Sequence, residues 1–128
     1  MIIRAVEDLL VYQKALAAAH AISALIERAA FRRDFELRDQ LAKSSSRVPA
    51  LIAEGFEQKT DRHFAHFLYS ARGSSRETLT HLQVALGRRH VTATEIETLV
   101  DEYNQICRML TGLIQHLEFE NRPHRWRQ

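Results

Sequence analysis

The chain has 128 residues and a formal net charge of +2, with 45% hydrophobic and 27% charged residues. This length allows one domain of ordinary size, and the average composition excludes a chain that is disordered throughout. Four glycines and two prolines are too few for the frequent turns of a β-sandwich or barrel, and the single cysteine excludes an internal disulfide framework and is typical of a reducing cytosol.

Four segments with helical periodicity follow one another, because apolar residues recur every three or four positions in each of them. The predicted helices span residues 8–30, 34–55, 61–89 and 95–119. Asp34 is the expected N-cap of the second helix, and Gly55 is expected to end it in the left-handed conformation. Thr92 or Thr94, each with a glutamate three residues later, offers a capping box for the fourth helix.

The fourth segment has the most regular apolar pattern. Its apolar residues alternate steps of three and four over three heptads, as in an a/d seam: Ile96, Leu99, Tyr103, Ile106, Leu110, Leu113 and Leu117. The connections between segments are short, so successive helices should be antiparallel neighbours. The sequence therefore predicts an all-α, up-down-up-down four-helix bundle over residues 1–120, followed by a basic C-terminal tail at 121–128.

The small net charge hides an uneven distribution along the chain. Residues 38–92 carry nine basic and five acidic residues, residues 93–120 carry one basic and six acidic residues, and residues 121–128 carry three arginines and no acid. Such polarisation favours contact with an acidic partner, either nucleic acid or the acidic helix of a neighbouring subunit. Solvated helix faces are the simpler interpretation for most individual charges.

The second and third helices each carry a polar stripe beside the apolar one. Short hydrogen-bonding side chains dominate these stripes, which favours a polar network in the bundle or a subunit interface over a solvated face. Pro49 lies inside the second helix and predicts a kink or local break. Six polar residues are expected to make structural or interface contacts: Gln40, Arg47, Glu54, Arg72, Ser74 and Glu77.

Two stretches of these helices resemble the motifs of a known family. Residues 48–56, VPALIAEGF, resemble the signature SIPxNIAEGF of the 23S rRNA intervening sequence proteins, and residues 64–74, FAHFLYSARGS, resemble the family segment eFxxFLyiArGS. Residues 11–15 and 108–114 are similar to the family's opening and its last helix, so the resemblance covers nearly the whole chain. Leu51 replaces the usual asparagine, which removes any role of that amide.

The resemblance implies a cytosolic bacterial four-helix bundle that forms homopentameric rings. Some members are encoded inside insertions of ribosomal RNA genes. The accessory protein of diversity-generating retroelements, which is similar in architecture, binds nucleic acid and a reverse transcriptase. Because no catalytic activity is established for the family, we expect a non-enzymatic, cytoplasmic homo-oligomer without a cofactor that binds nucleic acid or a nucleic-acid enzyme. A purely structural oligomer is the alternative.

The residues themselves give little support for catalysis, metal binding or membrane insertion. No histidine follows a glutamate by three positions, which excludes the di-iron pattern of helical bundles, and Cys107 lies on the apolar side of its helix as a core residue. No apolar run reaches the roughly 18 residues that would cross a membrane. Arg76 and His81 match the Arg-x4–6-His pair of helical-bundle ribonucleases, an alternative function, although such pairs arise by chance in this composition.

Nucleic-acid binding has better support from the distribution of arginine. Arg88 and Arg89 cluster at the end of the third helix, where they also suit a helix C-terminus. The tail combines phosphate-binding and base-stacking side chains: Arg122, Arg125, Trp126 and Arg127. These six residues are the predicted contacts with RNA or DNA, and a second copy of the chain is the other predicted partner.

Overall fold

The computed structural model describes the backbone of residues 2–120 and the side chains of residues 2–119. These residues form a 3₁₀ turn, Val6–Asp8, and five α-helices, with no β-strand among them. The helices are α1 (Leu10–Leu25), α2 (Ala29–Arg32), α3 (Phe35–Phe56), α4 (Asp61–Gly87) and α5 (Ala93–Glu120). The four long helices correspond to the four predicted segments, which confirms the all-α class.

The long helices pack as a closed ring of neighbours in the order α1, α3, α4, α5. Cross-helix contacts give the direction of α3 relative to α4. Asp34, just before α3, contacts Arg88, just after α4, and ten residues further along α3 Ser44 contacts Thr78, ten residues earlier in the chain than Arg88. This register is antiparallel, as expected for the predicted helical bundle.

The predicted a/d seam of α5 supplies much of the core. Five of its members are buried, whereas Leu99 and Leu113 are half-buried. Cys107 and Ile114 extend the buried stripe on either side of Leu110. The buried face of α5 is therefore wider than a strict two-position seam, as a helix with neighbours on two sides requires.

Two predicted helix starts are confirmed by their capping contacts. The Oδ1 of Asp34 accepts a hydrogen bond from the backbone N–H of Leu37 at 3.4 Å, as an N-cap side chain does. At the start of α5, the backbone N–H of Glu95 donates to the Thr92 hydroxyl at 3.2 Å, and a Glu95 carboxylate oxygen accepts from the Thr92 N–H at 2.8 Å. Of the two possible capping boxes, the one at Thr92 is formed.

The first predicted helix is interrupted, contrary to the single segment expected over residues 8–30. The helix α1 ends at Leu25, and Arg28 is extended, with φ −64° and ψ 149°, before α2 begins. The break places Phe31 fully inside the core, where its ring meets His90 edge-on at 5.3 Å between centroids. Burial of a phenylalanine at this end of the bundle outweighs continuation of the helix for one more turn.

The predicted left-handed conformation of Gly55 is wrong. The helix α3 continues to Phe56, and no glycine in residues 2–120 has a positive φ. A Cβ atom on Gly55 would lie 2.8 Å from both the Cδ1 of Phe64 and the Cβ of Phe67. Glycine is needed here because α3 and α4 approach closely, and not because the chain turns.

Pro49 does not break the helix in which it lies. The helix α3 runs without interruption from Phe35 to Phe56, and Pro49 is buried. Because α3 packs against both α1 and α4, tertiary contacts hold the proline in a helical conformation despite its missing N–H.

Candidate nucleic-acid interface

Arg88 is engaged by a carboxylate of its own chain. Its Nη1 donates to the Oδ2 of Asp34 at 2.8 Å, and the Nε2 of His90 lies 2.7 Å from the same oxygen. The hydrogen bonds from His90 and Arg88, in that order of importance, hold the pKa of the Asp34 carboxyl below its ordinary value. Arg88 thus joins the end of α4 to the start of α3, and half of its side chain remains exposed.

Arg89 ends α4 by its backbone conformation. Its φ of 63° is the only positive φ of a non-glycine residue in the described part of the chain. The N–H of Arg89 donates to the Leu86 carbonyl, and the N–H of His90 donates to the Ala85 carbonyl at 3.0 Å, which is the Schellman pattern. The exposed Arg89 side chain stands beside Arg88. The predicted tail contacts Arg122, Arg125, Trp126 and Arg127 lie outside the described residues.

The polar stripes of α3 and α4 meet at one buried point. The hydroxyl oxygen of Thr78 lies 2.8 Å from the Ser44 hydroxyl and 2.9 Å from the carbonyl of Ser74, and all three residues are buried. This contact ties the two helices together inside the bundle.

The remaining stripe residues occupy the surface. Arg47 and Glu54 are exposed, and Glu77 places a carboxylate oxygen 3.4 Å from the Nε2 of His81. Gln40 is half-buried and lines a small pocket of about 210 Å³ between α3 and α4, together with His81. The polar stripes therefore contribute to packing inside the bundle at only some of their positions, and their other residues lie at its surface.

Arg72 is held in place by contacts to α5 and to its own helix. Its Nη1 donates to the Thr111 hydroxyl at 3.0 Å, and its guanidinium carbon lies 5.0 Å above the ring of Tyr69. The Tyr69 hydroxyl in turn donates to Glu118 at 2.7 Å, and this bond to a carboxylate raises the pKa of Tyr69. The Arg72 guanidinium is thus fixed between two helices, with a cation–π contact on one side.

Three guanidinium groups gather on the flank where α4 packs against α5. Burial raises the pKa of the Cys107 thiol, and the nearby cations Arg76, Arg72 and Arg108 offset part of that rise. Arg76 and Arg108 are exposed, and Arg72 is half-buried. We call these three residues the arginine seam.

The arginine seam makes no ion pair with the carboxylates of the described residues. Among residues 2–119, no ion pair joins Arg72, Arg76 or Arg108 to an acidic side chain, in contrast to Arg88. The seam is not recognisable in the sequence, because Arg108 is 32 positions from Arg76. The antiparallel register that brings Thr111 to Arg72 also brings Arg108 to the level of Arg76, and pairing α4 with α5 in this register would have revealed the cluster.

The two residues of the ribonuclease alternative lie on different sides of α4. Arg76 is close to Cys107 of α5, whereas His81 lines the pocket next to Gln40 of α3. The structure does not bring the Arg76 guanidinium and the His81 imidazole together around one reacting group.

An apolar groove runs between α1 and the first half of α5. It holds about 560 Å³, and its floor is formed by small and aliphatic side chains: Ala17, Ala18, Ala21, Ala24, Leu25 and Leu99. Residues 15–26 contain no aspartate, glutamate, lysine or arginine, and Leu10 on the same helix is 57% exposed. At the rim, Glu95 pairs with Arg28 at 2.6 Å and Glu102 with Lys14 at 3.5 Å. A second protein surface could cover this groove without burying an unpaired carboxylate.

Within residues 2–120, no group of three or more histidine, cysteine, aspartate or glutamate side chains could hold a metal ion. No helix in the same part of the chain is both long and apolar enough to cross a membrane.

The fold and the seam together define an antiparallel helical bundle with one cationic flank. The sequence profile of the family described as 23S rRNA-intervening sequence protein matches residues 7–112. The chain therefore belongs to this family, as the motifs of its second and third predicted helices indicated.

A solved structure shows the same fold. It is the crystal structure of a protein with unknown function from the S23 ribosomal protein family of Bacteroides thetaiotaomicron, with a TM-score of 0.75 and 21% sequence identity, covering 82% of this chain and 98% of that one. At this identity the likeness concerns the fold alone. A comparison with curated proteins gives no match.

Proposed function

We propose that the protein is a non-enzymatic, homo-oligomeric module of the cytoplasm that binds nucleic acid. The observation that carries the proposal is the arginine seam, in which Arg72, Arg76 and Arg108 converge on one flank without carboxylate partners among the described side chains. Guanidinium groups bind phosphate in bidentate geometry and stay charged at every physiological pH. A cluster of guanidinium groups therefore favours the phosphodiester backbone of a nucleic acid as the ligand, rather than a nucleic-acid enzyme.

The contact of Arg72 with Thr111 supports phosphate binding for a second reason. A guanidinium that is already fixed by Thr111 and Tyr69 loses less conformational entropy on binding than a free surface arginine. Arg76 and Arg108 are exposed about one helical turn away from it and can complete the contact. The seam thus combines one positioned cation with two adaptable ones.

The experiment measures binding of labelled RNA and DNA oligonucleotides by fluorescence anisotropy over a range of salt concentrations. The triple variant Arg72→Gln, Arg76→Gln and Arg108→Gln should bind far more weakly, and the slope of log affinity against log salt should fall by about 2 with a single strand, at roughly 0.7 per phosphate contact. The matched control replaces three exposed arginines elsewhere, Arg4, Arg32 and Arg33, by glutamine. If both triple variants lost the same affinity, only the total positive charge would matter and not the position of the seam, and the proposal would be refuted.

The homo-oligomer is supported by the apolar groove between α1 and α5. Its alanine floor allows a helix of a second copy to approach closely, and the groove is large enough to receive apolar side chains. A ring of five, which the family resemblance implies, would have a mass of about 74 kDa, five times the 14.8 kDa chain. Light scattering should give this mass, or another multiple, for the unaltered chain.

One substitution tests whether the groove is the interface between copies of the chain. Ala21→Glu should convert the oligomer to a monomer, because it places a charge on the apolar floor. Ala50→Glu, at an exposed position of α3, is the matched control and should leave the mass unchanged. A monomeric mass for the unaltered protein at micromolar concentration would remove the homo-oligomer from the proposal.

A further inference from the structure

The arginine seam continues into exposed aromatic side chains towards the end of α5. Arg108, Gly112 and Phe119 are four and seven positions apart, so they share one face of the helix. Phe119 is 90% exposed, and Tyr69, beside Arg72 on α4, is 43% exposed. Cations at one end and aromatic rings at the other therefore occupy one continuous strip of the bundle flank.

We propose that this strip binds single-stranded nucleic acid, with phosphates on the seam and an unpaired base stacked on Phe119. The inference rests on the proposed function and narrows it from nucleic acid in general to unpaired strands. An exposed aromatic ring can stack on a base only where that base is not already stacked and paired inside a duplex. Aromatic platforms beside a cationic track are typical of proteins that bind single strands.

The dimensions of the strip suit a short stretch of single strand. Arg108 and Phe119 are eleven residues apart, which is about 17 Å along a helix. At roughly 3.4 Å per stacked nucleotide this length holds about five nucleotides, and fewer when the strand is extended. Gly112 lies between the two ends, and a Cβ built on it meets no protein atom within 4 Å, so its backbone is open to a ligand.

Contacts along the strip decide which of its two rings is available to a base. The carboxylate of Glu118, which precedes Phe119, accepts the Tyr69 hydroxyl at 2.7 Å. The Arg72 guanidinium covers one face of the Tyr69 ring. Phe119 is therefore the ring whose faces are most open to a base, and Tyr69 serves to position Arg72.

The test compares a labelled oligothymidylate of about 12 nucleotides with a duplex of the same length, using the full chain. We expect the single strand to bind at least tenfold more tightly. Phe119→Ala should weaken single-strand binding by about 5- to 150-fold, the range found when one stacked base is lost, and should leave duplex binding unchanged. Phe35→Ala removes another exposed phenylalanine, 73% exposed at the start of α3, and should change neither affinity.

A second variant separates binding from folding. Gly112→Gln introduces a better helix former at an open position, so the chain should unfold at a higher urea concentration. The same side chain stands between the seam and Phe119, and single-strand affinity should fall several-fold. If Gly112→Gln stabilises the chain but leaves its affinity for the single strand unchanged, the strand does not bind across Gly112.

The outcomes distinguish this inference from the proposed function. Equal affinity for duplex and single strand, or single-strand binding that is unaffected by Phe119→Ala, overturns the inference while nucleic-acid binding stands. Failure of both ligands to bind at low salt overturns the proposed function and the inference with it. Tighter single-strand binding that is lost in Phe119→Ala and retained in Phe35→Ala supports both.

Discussion

Replacement of Gly55 by alanine tests the packing of α3 against α4. Alanine is the better helix former by about 1 kcal/mol, so the substitution would stabilise an isolated helix. In the bundle, the added Cβ would lie 2.8 Å from the Cδ1 of Phe64 and 2.8 Å from the Cβ of Phe67. The sign of the change in stability therefore depends on whether these neighbours can move.

The cost can be bounded from the geometry. Carbon atoms in contact are about 3.5–4.0 Å apart, so each of the two short distances must lengthen by roughly 0.7 Å or more. The ring of Phe64 can tilt, but the Cβ of Phe67 is attached to the backbone, and the helix α4 must shift with it. Overpacking of this kind costs about 1–3 kcal/mol. After subtraction of the gain in helix propensity, Gly55→Ala should destabilise the bundle by up to about 2 kcal/mol.

Urea unfolding followed by circular dichroism measures the effect, at one protein concentration because assembly would contribute to stability. Gly73→Ala is the matched control, since a Cβ there meets nothing within 4 Å and the substitution should stabilise the chain by up to about 1 kcal/mol. The two alanine variants are thus expected to change stability in opposite directions. If Gly55→Ala proves as stable as Gly73→Ala, the close approach of the two helices is not the reason for the glycine.

Three further predictions concern single side chains and use the same unfolding assay. Arg89→Gly should raise the free energy of unfolding by about 0.5–1 kcal/mol, because glycine adopts a φ of 63° without steric cost; no gain would mean that Arg89 makes a compensating contact. Tyr103→Phe should leave stability unchanged or raise it by up to about 2 kcal/mol, since the buried hydroxyl has no hydrogen-bond partner among the described residues; a loss above 1 kcal/mol would reveal a bound water. Asp34→Asn should cost about 1–2 kcal/mol at pH 7, because asparagine still caps α3 but loses the charge that Arg88 and His90 contact. The hydrogen bonds from His90 and Arg88 lower the pKa of Asp34 in the folded state, so its contribution is present above the ordinary carboxyl pKa of about 4 and is lost as the pH falls through the lower, folded value. The difference in stability between wild type and Asp34→Asn should therefore shrink as the pH falls below the ordinary carboxyl range, and a constant difference would contradict the charge argument.

The sequence predicts those parts of the fold that depend on neighbours along the chain. The a/d seam of α5, the N-cap Asp34 and the capping box at Thr92 each depend on residues within a few positions of one another, and the structure contains all three. The interruption after Leu25 could not be predicted in this way. It depends on the burial of Phe31 against His90, a contact between residues 59 positions apart.

In the candidate site, too, the sequence indicates what is local along the chain but not what depends on contacts between helices. Arg88 and Arg89 are conspicuous because they are adjacent in sequence, but the structure pairs Arg88 with Asp34 and gives Arg89 a role in ending α4. The residues of the arginine seam lie on two helices, so the cluster can be recognised only when the register of α4 and α5 is known. Likewise, the sequence predicts a helix end at Gly55, because a glycine does not reveal in sequence that a second helix packs against it.

The positions of the groove and the seam allow one chain to assemble and to bind nucleic acid at the same time. The first half of α5 lines the groove with α1, whereas its second half carries Arg108 towards α4. The helices α1 and α4 are not neighbours in the ring of helices, since no Cα atom of one lies within 8 Å of a Cα atom of the other. A second copy seated on α1 would therefore leave the seam uncovered. Repetition of the seam in an oligomer would join several weak contacts on one strand, and such linkage raises overall affinity by about 10²–10⁴ when the geometry permits simultaneous binding. Under the proposed function, the three guanidinium groups of each chain would act together around the oligomer, although the net charge of one chain is only +2.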